Sequence, residues 1–194
     1  IQRPKADNPL FLKFIEAGKE AGYPLTEDIN GFCQEGFGLL DSSIYKGERS
    51  STAVSYLQPI KNRKNLTIIT NAHVQRVLIE SGRATGIIYK KKGGKEIKVT
   101  ATKEVILSAG AVGSPHILML SGIGPADHLK DLGIKVITNL PGVGQNLNDH
   151  PDFVLKYKSL KPISIWPKTK SYKKIMAGIQ WVLTRKGICA SNHF

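Results

Sequence analysis

Three small residues, Ser108, Ala109 and Gly110, follow a short apolar run and stand just ahead of a Ser114-Pro115 pair. Side chains of this size let another backbone or a ligand lie close to the main chain. A strand, a tight turn and a helix N-terminus in succession leave unpaired backbone amides, which suit an anionic group. Ordinary α/β packing needs the same small residues, so the turn by itself leaves both readings open. The titratable residues show less. The histidines are His73, His116, His128, His150 and His193, with no H-x-H or H-E-x-x-H spacing and no paired cysteines, so no metal ligand is expected. Ser114 with His116, and Asp149 with His150, suggest a hydrolase only until the missing G-x-S-x-G is noticed. Asp149 and His150 are expected instead to pair structurally and close a turn. Arg49 could meet a phosphate, but an exposed loop arginine is the simpler reading. No catalytic residue is assigned to this chain.

The elements that must position the small-residue turn can be read from period and punctuation. Val105, Ile106 and Leu107 form an apolar run too short for a helix, as expected of a parallel-sheet strand covered on both faces. Ser114 as N-cap and Pro115 as first helical residue predict a helix over 115–120, stopped by Gly122 and Gly124. Upstream, Asn8 and Pro9 open a helix in which Leu10, Phe11, Phe14, Ile15 and Ala17 recur at helical spacing until Gly22. Residues 28–40 read as loop, with Phe32 and Phe37 as core anchors. A short helix is expected over 52–59, ended by Pro59. From 66 the pattern becomes β: strands at 66–70, 74–80, 85–90 and 97–100, with turns at Ser81-Gly82 and Gly93-Gly94. Residues 125–132 predict a short helix closed by Gly133, and 134–138 a further strand. Gly142-Val143-Gly144 lacks the third glycine and later acid of a dinucleotide fingerprint. Beyond Asp152 the composition is β-like and lysine-rich, then helical over about 170–185.

SAGAVGSPHILMLSGIGP at 108–125 followed by LPGVGQNLNDH at 140–150 resembles the second signature region of the glucose-methanol-choline oxidoreductases. GERSSTAVSYLQP at 47–59 and NLTIITNAHVQRVL at 65–78 resemble the same family in the same order. NPLFLKFIEAGKEAGYP, DINGFCQEGFG and the terminal SNHF resemble its choline-oxidising branch, so nearly the whole chain is covered. The resemblance implies FAD as cofactor, a backbone contact from Val74 to the adenine, and Ser108, Ala109 and Gly110 against the cofactor. It further implies oxidation of a primary alcohol, choline to betaine aldehyde, by hydride transfer to the flavin. The proton-handling histidine and the phosphate-binding loop are expected outside these 194 residues, as in an internal fragment. A different alcohol or sugar remains the alternative within the family, and residues after Phe194 are expected to decide it. The electron acceptor and oligomeric state stay open.

Composition bounds these expectations. With 194 residues, 41% hydrophobic and 22% charged, the chain has globular composition and length for a real core. No apolar run approaches the roughly 18 residues of a membrane span, and the N-terminus lacks a signal peptide's apolar centre. The two cysteines, Cys33 and Cys189, form no framework and point to free thiols in a reducing, cytoplasmic setting. The net charge of +13 invites a basic binding module, for nucleic acid or membrane, as the rival of another class. The lysines are scattered and no nucleic-acid motif accompanies them, so no nucleic-acid partner is expected; a peripheral contact with an anionic membrane is the minority reading. The expected architecture is α/β (α+β overall): part of a doubly wound FAD-binding domain with a β-meander over 46–150, flanked by pieces of an antiparallel substrate-binding domain at 1–45 and 151–194.

Overall fold

A computed structural model of the chain describes residues 2, 3 and 8–190. The SNHF stretch with His193 lies outside the described residues. The elements in chain order are α1 (Pro9–Glu20), β1 (Ile44–Tyr45), β2 (Glu48–Arg49), β3 (Ala72–Glu80), β4 (Arg83–Lys91), β5 (Glu96–Thr100), α2 (Gly110–Leu120), β6 (Ile123–Gly124), α3 (Ala126–Asp131), β7 (Thr138–Asn139), α4 (Trp166–Thr169) and α5 (Tyr172–Thr184). They fall into two compact units, Thr67–Val154 and a discontinuous one of Ile1–Leu66 with Leu155–Phe194.

In the discontinuous unit α1 starts where its sequence says: the Asn8 side chain accepts from Leu10 N–H, and Pro9 occupies the first turn. The Phe37 ring lies against α1 at Gly18, where an added Cβ would sit 2.5 Å from the ring. Phe14 and Tyr23 flank the same ring at centroid distances of 5.3 and 5.6 Å, both tilted. Phe37 is thus the anchor expected of this loop. Phe32 is not: its side chain is fully exposed, because the 28–33 turn is closed by Asp28 and Thr26 hydrogen bonds rather than by packing. The segment expected to stop at Pro59 runs on through it, with a π-type turn over Ala53–Leu57 followed by a 3-10 turn over Gln58–Ile60. Proline is tolerated there because it opens the second turn, where its missing N–H has no helical partner. At the other end of the sequence, α5 is tied to the β1–β2 hairpin. Trp181 Nε1–H donates to Gly47 O at 2.7 Å, Arg185 pairs with Glu48, and the Arg185 guanidinium sits 4.4 Å from the Trp181 ring centroid.

The second unit is built on the meander β3-β4-β5, antiparallel throughout. The expected turns at Ser81-Gly82 and Gly93-Gly94 connect its strands. Its core holds Val77, Ile88 and Tyr89 from the sheet, with Leu129 of α3 fully buried and Val143 from the following turn. β6 and β7 form a two-residue parallel pair. Three expectations need correction here. Residues 66–70 make no strand, and the strand expected at 134–138 pairs only at Thr138–Asn139. The 105–107 run pairs with no described strand, and Ile106 is 76% exposed rather than covered on both faces. An apolar run reports a strand's wish for neighbours, and no described strand flanks this one. Likewise the stretch beyond Asp152, read as β-like, carries no ladder before α4.

α2 also begins five residues earlier than the Ser-Pro pair suggested, at Gly110, with Pro115 inside the helix. Ser114 is therefore not the N-cap. Its Oγ instead accepts a hydrogen bond from Ala109 N–H at 3.0 Å, bracing the turn from within the helix. Proline there forgoes one helical hydrogen bond, which the short helix tolerates.

Candidate functional site

Val74 sits on β3, half-buried and opposite Tyr89 of β4. Immediately after it the register slips, so that Gln75 is an extra residue before Arg76 faces Ile88. Such a bulge re-aims the backbone on either side. β3 is also an edge strand of its sheet, so one side of its backbone has no strand partner among the described residues. Part of that edge is taken by α2. Val77 N–H donates to Ser121 Oγ at 2.8 Å, and Ser121 donates in turn to Ile117 O at 2.6 Å. Ser121 is 4% exposed, and sequence reasoning missed it: SGIG read only as a helix stop. A serine at a helix end facing a β edge was the available signal.

Ser108, Ala109 and Gly110 lie at the other end of α2, about 16 Å along the helix by its rise per residue. All three are exposed. Gly110 has φ +83°, a conformation that disfavours any L side chain, and a Cβ built on it meets nothing within 4 Å. The open space beside a chain of small residues is what a ligand needs for close approach. No side chain caps the helix, so its first-turn amides face outward. These residues fit an anionic or dipolar part of a flavin cofactor, and the β3 edge at Val74 fits a planar base that pairs with backbone N–H and C=O. Val74 and residues 108–110 share one unit, joined by the Ser121 link rather than by direct hydrogen bonds among the described residues.

Other candidates fall away. Asp149 does not pair with the His150 ring; its carboxylate accepts from the His150 backbone N–H, and both residues are exposed. Adjacent side chains diverge, and the Asx-type bond is the shorter path. His73, His116, His128 and His150 are exposed, and no group of metal-ligating residues occurs among the described residues. Arg49 lies exposed on β2 and lines a cavity of about 630 Å³ with Trp181 and Cys189 in the discontinuous unit. Cys33 and Cys189 are free thiols. No described helix is long and apolar enough to cross a membrane.

The sequence model of the GMC oxidoreductases matches residues 1–152. The chain belongs to this family. GMC oxidoreductases are FAD-dependent flavoenzymes acting on CH–OH groups, and the α/β fold described above is that of their solved structures. A formate oxidase superposes with TM-score 0.82 at 32% identity, covering 94% of this chain and 32% of its own. An FAD-dependent oxidoreductase from Chaetomium thermophilum gives TM-score 0.82 at 29% identity, covering 97% and 33%. In sequence, an oxygen-dependent choline dehydrogenase of Staphylococcus xylosus is 46% identical over all 194 residues, which make up 34% of that protein. The GMC chain thus spans about a third of the length of the relatives it matches.

Proposed function

We propose that this chain is a segment of an FAD-dependent dehydrogenase that oxidises a primary alcohol, choline to betaine aldehyde. The observation that carries this reading is the 46% identity over all 194 residues with an oxygen-dependent choline dehydrogenase. The local structure supports it at the cofactor. Val74 presents edge-strand backbone beside a bulge, a place where adenine's donor and acceptor edge pairs with N–H and C=O whatever the side chain. Ser108, Ala109 and Gly110 let the cofactor lie against the start of α2, whose uncapped amides favour negative charge. When bound, the flavin supplies the hydride acceptor. The chain's own part is to hold and orient it, and no proton-transferring residue is assigned within these 194 residues.

The discontinuous unit, left at Leu66 and rejoined at Leu155, supports a chain that leaves a substrate domain, builds part of the FAD domain and returns. We place the substrate-domain segments at 1–45 and 151–194, and the FAD-domain segment at 46–150. Dioxygen as electron acceptor follows the description of the Staphylococcus xylosus relative. The free cysteines support a reducing, cytoplasmic setting.

The test is a visible spectrum of the full-length protein containing this chain. Choline added without oxygen should bleach the flavin bands, and admitting oxygen should restore them. Bleaching by another alcohol but not by choline would overturn the substrate; a colourless protein that FAD cannot reconstitute would overturn the enzyme reading.

A further inference from the structure

The start of β3, the last residues of β4 and the turn that follows them border an open groove of about 530 Å³, lined among others by Asn71, His73, Gln75, Lys90, Lys91 and Lys92. Every polar side chain in that lining can donate a hydrogen bond, and no carboxylate is among them. The bulge residue Gln75 and the left-handed Asn71, φ +55°, shape one wall. The other wall is the lysine run, where residues 90–98 hold five lysines against one glutamate, Glu96. Lys98 has a carboxylate partner in Glu80 at 3.8 Å. Lys90, Lys91 and Lys92 have none among the described residues.

Lys90, Lys91 and Lys92 all line this concavity without a carboxylate partner among the described residues, and a bound polyanion relieves the repulsion among like charges held near one another. The groove is open to solvent, and its volume lies within the range of small-ligand sites. We infer that this groove binds a small phosphorylated anion carrying at least two negative charges, of the diphosphate class, through Lys90, Lys91 and Lys92 with amide donors from Asn71 and Gln75. The inference does not depend on which alcohol the protein oxidises.

The test uses the full-length, flavin-loaded protein and inorganic pyrophosphate, titrated by calorimetry at low and moderate salt. The expected result is saturable binding with one site per chain, weakened at least tenfold in the double variant Lys90→Gln/Lys92→Gln. The control Lys156→Gln/Lys158→Gln, which removes equal charge from an exposed segment, should bind as the parent does. Alcohol oxidation should be unchanged in both variants. Binding that does not saturate, or that the two double variants weaken equally, would show a diffuse charge effect and overturn the inference. So would binding seen only in flavin-free protein and competitive with FAD, which would return the groove to the cofactor. Capture by anionic vesicles that pyrophosphate fails to displace would assign the lysines to a membrane surface instead.

Discussion

Ser121 holds two backbone groups at once, accepting from Val77 N–H and donating to Ile117 O in a setting almost closed to water. Replacing it by alanine leaves the Val77 amide buried without a partner, a loss of about 1–3 kcal/mol. In the full-length protein, Ser121→Ala should therefore speed hydrogen exchange of the β3 peptide by about one to two orders of magnitude, while peptides from α1 are unaffected. Equal protection in parent and variant would show that α2 does not depend on this serine for its seat on β3. Charge matters less at this scale. Arg3 is held even more firmly protonated than usual by its hydrogen bond to Asp41 and by that carboxylate's charge. It stays cationic at every working pH, and the exposed pair adds little to stability.

At the scale of elements, a tight aromatic fit joins α1 to the loop behind it. Gly18 leaves room for the Phe37 ring, and a methyl group there must displace an aromatic side chain already wedged between Phe14 and Tyr23. Gly18→Ala should cost about 1–3 kcal/mol through overpacking, whereas Phe32→Ala should be neutral within about 0.5 kcal/mol. Thermal melts of the two full-length variants check the contrast. Both phenylalanines looked alike in the sequence, since hydrophobicity says what gains from burial but not which loop residue gets it. What local chemistry controls was legible: the Asn8-Pro9 start of α1, the meander with its two turns, and the stop after Leu120 at Gly122. What depends on distant partners was not. Residues 105–107 had the composition of a buried strand without a neighbour to pair with, and Ser114-Pro115 had the local look of a helix start inside a helix that had already begun. Of the site, the small-residue turn was readable from its residue types. The role proposed for Val74 rests only on family likeness, because a backbone contact leaves no mark on the side chain.

Much of the chain's described surface is apolar: Phe153, Leu155, Tyr157 and Leu160 stand 77–100% exposed, and α5 shows Ile175 and Val182 to solvent. Surface of that kind calls for cover. The 194-residue chain made alone should bind a hydrophobic dye such as ANS strongly and elute as aggregates, and the full-length protein should do neither; a dye-silent monomeric fragment would contradict this. The unpaired run at 105–107 has a consequence in time as well as in space. In the meander each strand pairs with the one before it across a tight turn, so its contacts are local and close quickly. The run that follows gains nothing from that closure. During synthesis the chain carries Ile106 exposed beside a finished sheet, which leaves this stretch open to a chaperone that binds apolar chain and to a protease that cuts unpaired backbone.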